Sequence, residues 1–270
     1  METGIELAKE IKKLSVDLNL GKLKISVSDD DSFSYKIENA DEDDFQVLQT
    51  ETEILITDKR NVGDAFKSKI KFGDVVSKWF NKEKLEENRP KIKILIPEGY
   101  RFEEVKIKGA LSESNVKGVS ADVFKFSAGV GNVKLKNIKA DSLKIVGGVG
   151  KISGKNIISK KTKVDAGVGP CYFVNSEFSE SKLNCGVGQF KFDGNMFGKN
   201  SLRAGVGSVE LSLNSKLSEV NLYVKAGIGR IKVNDETISG LNAEKEFISD
   251  SSDRIKVIGN LGKIDIAFNE

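Results

Sequence analysis

The sequence predicts an all-β protein that winds into a right-handed, single-stranded β-helix-like solenoid with rungs of about 19 residues. A rung is one turn of the chain around the solenoid axis. Three observations lead to this prediction: a glycine-rich triplet recurs at a fixed interval, strand-like alternation follows each copy, and a small residue precedes each copy.

The triplet Gly-Val-Gly or Gly-Ile-Gly occurs six times in the second half of the chain. The first five copies start 19 residues apart, and the sixth follows after 22. A unit of this length cannot bury its own apolar side chains, so each rung must stack on its neighbours, about 4.8 Å away, to form a core. The six copies begin at Gly129, Gly148, Gly167, Gly186, Gly205 and Gly227.

Apolar side chains alternate with polar ones after each triplet, which indicates a strand with one buried face. If the first glycine is position 1, then positions 5 and 7 are apolar in nearly every copy, and position 17 is always apolar. The residues at positions 5 and 7 are Val133 and Leu135, Ile152 and Gly154, Cys171 and Phe173, Phe190 and Phe192, Val209 and Leu211, and Ile231 and Val233.

A small residue stands immediately before every triplet. Together with the two glycines, it predicts a crowded corner where stacked rungs leave room for little more than the backbone. The triplet is therefore interpreted as part of the architecture. The small residues are Ala128, Gly147, Ala166, Cys185, Ala204 and Ala226.

The two ends of the chain use the same rung design. Residues 19–25 read Asn-Leu-Gly-Lys-Leu-Lys-Ile, and residues 260–266 read Asn-Leu-Gly-Lys-Ile-Asp-Ile. Residues 110–112 continue the repeat one period before Gly129. We therefore expect one continuous solenoid over residues 1–270.

Four segments are expected within this single solenoid. Residues 1–100 form irregular N-terminal rungs, with strands at 33–38, 45–50, 53–57 and 91–96 and a helical insertion at about 64–88. Residues 101–233 form regular rungs of 19–22 residues. Residues 234–252 are polar and predict a protruding loop, and residues 253–270 form the terminal rung.

The helical insertion is the main feature outside the repeat. Residues 74–85 fit a short amphipathic helix, with Asp74 as a candidate N-cap and with Trp79 and Phe80 among its apolar residues. One interpretation is a helix that covers an exposed end or side of the solenoid. The other is a surface that binds a partner protein.

Composition excludes several classes of function. The chain has no histidine, which excludes Ser-His-Asp and Cys-His catalysis and histidine-based zinc sites. The net charge is only +3, and lysines alternate with apolar residues as on a solvated strand face, so no nucleic-acid partner is expected. No apolar run is long enough to span a membrane, and Met1 to Glu10 lack the apolar segment of a signal peptide.

No catalytic, cofactor-binding or metal-ligating residue is assigned. The triplets do not fit a dinucleotide or phosphate-binding loop, because a strand follows each copy and a third glycine or a Lys-Ser/Thr end is missing. Cys171 and Cys185 are expected to be buried free thiols, with a disulfide as the alternative in an exported protein. The acidic segments 29–31 and 41–44 match no calcium loop and are interpreted as solvated turns.

The rung pattern resembles a bacterial β-strand-repeat family of putative adhesins. Two segments carry the resemblance: residues 91–100, KIKILIPEGY, and residues 124–135, FKFSAGVGNVKL. The family pattern is an "I-x-I-P-x-G" segment followed by rungs of the form "L-x-I-x-x-G-x-G-x-I-x-I". The resemblance implies a right-handed solenoid of unknown function that is often attached to the cell envelope, and it assigns no functional residues.

The leading functional prediction is therefore a non-catalytic, cell-envelope-associated β-solenoid that acts in adhesion, binding or scaffolding. One alternative is a polysaccharide-active enzyme, because parallel β-helices also host lyases and hydrolases; it requires several carboxylates in one groove. The other alternative is an accessory protein-interaction module that acts through the Trp79 helix.

Overall fold

A computed structural model describes residues 5–6, 11–30, 32–60 and 89–269. These residues form one all-β sheet with two short 3₁₀ turns, Glu42–Asp44 and Leu217–Glu219. The predicted amphipathic helix at 64–88, with Trp79, lies outside the described residues. The strands are β1 Ile5–Glu6, β2 Lys13–Val27, β3 Ser34–Glu38, β4 Phe45–Gln49, β5 Glu53–Asp58, β6 Lys91–Ile96, β7 Arg101–Lys117, β8 Ser120–Val130, β9 Val133–Val149, β10 Ile152–Val168, β11 Cys171–Ser179, β12 Ser181–Val187, β13 Phe190–Phe197, β14 Lys199–Val206, β15 Val209–Leu213, β16 Asn221–Val233, β17 Glu236–Phe247 and β18 Arg254–Phe268.

Strands β7 to β15 form a solenoid-like ladder of parallel strands. Each residue pairs with the residue 19 positions later, so Val133 pairs with Ile152, Ile152 with Cys171, and Cys171 with Phe190. The sequence period is therefore the register of the sheet, as expected. The strands predicted around β3, β4, β5 and β6 are also confirmed, with ends that differ by one residue at most.

The triplets form a corner at which adjacent rungs approach closely. The second glycine of the first five triplets has a φ between 133° and 142°, in the region that side chains rarely adopt. A Cβ added to the first glycine, for example Gly167, would overlap the carbonyl oxygen of Gly148 on the preceding rung. Both glycines are therefore required for stacking, which confirms their architectural role.

Backbone hydrogen bonds join the rungs at this corner. The second glycine of each triplet donates its N–H to the carbonyl of the aliphatic residue in the next rung. The donor–acceptor distance is 2.8 Å from Gly150 to Val168 and 2.8 Å from Gly169 to Val187. A side chain at either glycine would separate these groups and leave both unpaired.

A second corner is stabilised by asparagine. Asn137, Asn156 and Asn175 occupy the same position on three successive rungs, with φ values of 53°, 55° and 49°. Asparagine tolerates this left-handed conformation better than most residues. The Asn156 side chain also donates a hydrogen bond to that of Asn137 at 2.8 Å. The turn therefore repeats in register with the rest of the rung.

The inward-facing columns form one core. It is aromatic in the middle of the solenoid, where the rings of Phe173 and Phe178 are 5.1 Å apart and those of Phe178 and Phe192 are 5.2 Å apart. The exception at position 7, Gly154, is explained by this cluster: a Cβ there would overlap the Phe173 ring on the next rung. The larger ring thus fills the space that Gly154 leaves open.

The two terminal rungs lie inside the solenoid, one rung from each end. β18 pairs with β14 and β15 on one side and with β16 on the other, so Leu261 lies between Val206 and Ile228. At the other end, β2 lies between β7 and the pair β5 and β6. The shared phrase at residues 19–25 and 260–266 belongs to these two equivalent positions.

The prediction of a protruding loop at 234–252 is corrected by the structure. Most of this segment is β17, which pairs antiparallel with β16 along its whole length. Its polar composition has a physical reason: the strand lies at the edge of the sheet, and most of its side chains are exposed. Antiparallel strands β3 and β4 similarly cover β6 and β5 at the other end. Both outermost parallel rungs therefore have their edges paired.

We predict that Gly167→Val will destabilise the fold by about 3 kcal/mol or more, because the side chain would collide with backbone. Thermal denaturation followed by circular dichroism measures this, as a fall in Tm of about 10 °C. The control is Val168→Ala in the same triplet, which should cost about 1 kcal/mol or less because Val168 is half exposed. Equal melting temperatures for wild type and Gly167→Val would contradict the prediction.

Candidate functional site

The central residue of every triplet lies on the surface and forms a continuous apolar row. The residues pair in register across every rung and across the antiparallel edge strand, over a length of about 43 Å. We call this set the aliphatic row. Its members in spatial order are Leu20, Leu111, Val130, Val149, Val168, Val187, Val206, Leu261, Ile228 and Leu241.

Most of the aliphatic row is strongly exposed. The six members from Val149 to Ile228 have 45–56% of their surface in contact with solvent, and Leu241 has 77%. The cause is local, because the flanking glycines have no side chains that could shield them. Single exposed aliphatic residues are common on soluble proteins, whereas a contiguous apolar patch of several hundred Å² or more typically marks an interaction surface.

A groove of about 630 Å³ runs beside the aliphatic row. Its floor contains the glycines Gly167, Gly186 and Gly205, and its polar lining includes Asp165 and Asn184. The Asn184 amide donates a 2.6 Å hydrogen bond to the Asp165 carboxylate. This bond, with a further contribution from Lys163, lowers the pKa of Asp165, so the carboxylate stays ionised near neutral pH.

A row of five lysines lies on the other side of this groove. Lys106, Lys125, Lys144, Lys163 and Lys182 pair in register on five successive rungs. We call this set the lysine row. Neighbouring strands lie about 4.8 Å apart, so the five side chains leave the sheet along a line about 19 Å long.

Only part of the lysine row is neutralised. Lys125 forms a 2.7 Å ion pair with Glu104, and its hydrogen bond lowers the pKa of that carboxyl group. Lys163 forms a 3.2 Å pair with Asp165. The other three lysines have no carboxylate of a described residue within ion-pair distance. They therefore present like charges to each other and to solvent.

Positive charge is concentrated on the regular part of the solenoid. Residues 101–213 contain 18 lysine and arginine residues against 10 aspartate and glutamate residues, whereas the whole chain has a net charge of only +3. The remaining segments are therefore acidic in balance. A modest net charge hides a basic central region.

The cysteines have the environment of structural thiols. Cys171 is buried, Cys185 is half-buried, and both are free. A hydrogen bond with Cys185, followed by burial, raises the pKa of the Cys171 thiol well above its usual value. A raised pKa lowers the fraction of reactive thiolate. This arrangement fits the expected role as small apolar fillers.

The acidic segments form turns, as expected. Hydrogen bonds from Ser32 lower the pKa of Asp30, and Asp31 lies outside the described residues. Residues 42–44 form a 3₁₀ turn. In the described ranges, no three acidic or cysteine side chains are placed to hold a metal ion. No helix in those ranges has both the length and the apolar character to cross a membrane.

Both surface rows are visible in the sequence as residues spaced by 19. The lysine row was missed because the period was applied to the inward positions, and outward lysines were interpreted only as solvation. The triplet's central residue was missed because the glycines on both sides pointed to architecture. The outward positions of the same repeat carry the signal.

An all-β solenoid with regular, straight surface rows is the class of protein that the fold defines. The chain belongs to the Toastrack DUF4097 family, which it matches over residues 11–267. This confirms the resemblance to a family of putative adhesins of unknown function. No curated protein matches the chain significantly.

Two solved structures are similar to the chain. One is described as a putative adhesin from Bacteroides fragilis; it has 18% identity and a TM-score of 0.53, and the match covers 98% of this chain and 96% of that one. It supports the fold alone. The other is a putative cell adhesion protein from Clostridium sporogenes, with 14% identity, a TM-score of 0.27 and coverage of 100% and 99%.

We predict that the lysine row opposes folding slightly, because like charges on neighbouring strands repel each other. Replacing Lys106, Lys144 and Lys182 together by glutamine should raise Tm by about 1–3 °C at low ionic strength. Salt screens this repulsion, so the difference from wild type should shrink at about 0.5 M NaCl. A variant that is less stable than wild type at low salt would contradict this account.

Proposed function

We propose that this protein is a non-catalytic, cell-envelope-associated β-solenoid that binds or scaffolds other molecules through the face at its glycine corner. The aliphatic row is the observation that carries the proposal. An exposed apolar strip of this length costs solubility, and it has no role in the core. Binding is the function that explains why it is present on every rung.

The regularity of the face favours an extended partner. The aliphatic row, the groove and the lysine row all run parallel to the solenoid axis, and each repeats at every rung. Repeated weak contacts along one partner add up to firm binding without a single deep pocket. Repeat proteins commonly use elongated surfaces of this kind. Membership of a family of putative adhesins supports the same conclusion.

The alternative of a polysaccharide-active enzyme is less well supported by the acidic residues. Asp122 and Asp141 lie on adjacent rungs, but Arg101 bridges them at 2.6 and 2.9 Å, and Lys160 binds Asp141 at 2.9 Å. The Lys160 hydrogen bond is the main cause that lowers the pKa of Asp141. A general acid in glycoside cleavage needs a raised pKa.

We also infer that the solenoid is right-handed and continuous over residues 1–270. Parallel strands joined by crossover connections are right-handed in nearly all proteins. Continuity is supported by the unbroken pairing from the rung of β5 and β6, through β2 and the regular rungs, to β18, β16 and β17.

Adherence of the fluorescently labelled protein to isolated bacterial cell envelopes tests this function. We predict that Val168→Thr, Val187→Thr and Val206→Thr, combined in one chain, will lower adherence about tenfold by removing apolar contact area. Tm should change little, because these side chains are half exposed.

The matched control replaces three exposed aliphatic residues outside the row, Leu48, Ile158 and Ile248, by threonine. It should adhere like wild type. Undiminished adherence of the row variant would contradict the role of the aliphatic row. Turnover of any polysaccharide in a hydrolase and lyase panel would overturn the non-catalytic assignment.

A further inference from the structure

We infer that the lysine row is a binding site for a linear acidic polysaccharide that carries one carboxylate on each sugar, lying along the solenoid axis. This inference rests on the proposed binding function and specifies the class of partner. It arises from the placement of five lysines on consecutive rungs, which the parallel register of β7, β8, β9, β10 and β12 produces.

The energetics of the row point to an anionic partner. Adjacent like charges destabilise a sheet, and elsewhere this chain pairs its outward lysines: Lys108 with Asp17 at 3.3 Å, and Lys225 with Glu244 at 2.9 Å. Lys106, Lys144 and Lys182 have no such partner among the described residues. A bound polyanion would supply the missing negative charges and release the counterions that the row collects.

The shape of the positive strip selects a narrow polymer. Carboxylates lie beside the row, at Glu104 and Asp165 near its two ends. A broad anionic surface such as a bilayer would meet these carboxylates as well as the lysines. Duplex DNA carries a phosphate every 3.4 Å along each strand, on backbones that wind away from a straight line. An extended chain with one charge per sugar stays over the lysines.

The groove gives the polymer a place to lie. On β10 the chain passes from Lys163, in the row, to Asp165, Gly167 and then Val168, in the aliphatic row. The groove floor at Gly167 therefore lies between the charged row and the apolar row. A sugar chain seated there would meet lysine ammonium groups on one side and aliphatic side chains on the other, which matches its carboxylates and its C–H faces.

Binding of fluorescently labelled polygalacturonate, measured by anisotropy at low ionic strength, tests the inference. The full chain should bind, and neutral dextran should not. The variant with Lys106, Lys144 and Lys182 changed to glutamine should bind at least about tenfold more weakly, because three of five charges are lost. Circular dichroism verifies that the variant is folded.

A second lysine row provides the matched control. Lys117, Lys136 and Lys155 also pair in register, at the asparagine corner of the coil. Changing these three residues to glutamine alters the net charge equally, and affinity should remain within about twofold of wild type. Equal losses in both variants would overturn the inference, because net charge alone would then explain binding.

Other probes separate the remaining outcomes. Duplex DNA and phosphatidylglycerol vesicles should bind more weakly than polygalacturonate at the same salt. Tighter, row-dependent binding of either would overturn the polysaccharide assignment. Absence of polygalacturonate binding would also overturn it, whereas retained adherence to cell envelopes in the same preparation would leave the proposed function standing.

Discussion

The structure depends on one backbone contact, the approach of successive rungs at the glycine corner. There the N–H of Gly150 donates to the carbonyl of Val168, and the N–H of Gly169 donates to that of Val187. No Cβ fits at either glycine, and each has a φ that other residues rarely adopt. Because the contact recurs with each 19-residue unit, it holds neighbouring rungs in one register. The core columns and the surface rows both follow from that register.

The same contact gives the triplet two roles. Its glycines belong to the architecture, since they allow the rungs to stack. Its central residue has no place in the core and faces solvent on every rung, because the chain turns outward between the two glycines. A motif that builds the corner therefore also builds the aliphatic row, and the lysines at a constant offset from it become the lysine row. Binding surface and fold are two consequences of one repeat.

The sequence predicts the local repeat well and the long-range order of the rungs poorly. The period of 19, the inward columns and the corner follow from spacing alone, and the structure confirms them. The position of β18 does not follow, because its partner Val206 lies 55 residues before Leu261 and the intervening β16 and β17 occupy the outer positions. Likewise, β17 has the polar composition of a loop because it is an exposed edge strand. Of the candidate binding face, the lysine spacing was readable, but its meaning depends on register.

Hydrogen exchange of the corner glycine amides tests the central claim most directly. Gly150, Gly169, Gly188 and Gly207 lie beside half-exposed side chains, and on sequence grounds a surface turn would exchange rapidly. If stacking at this corner holds the solenoid together, nuclear magnetic resonance should show these four amides exchanging only through global unfolding, as slowly as amides of the core strands. Rapid exchange at these glycines, with the core strands still protected, would contradict the account.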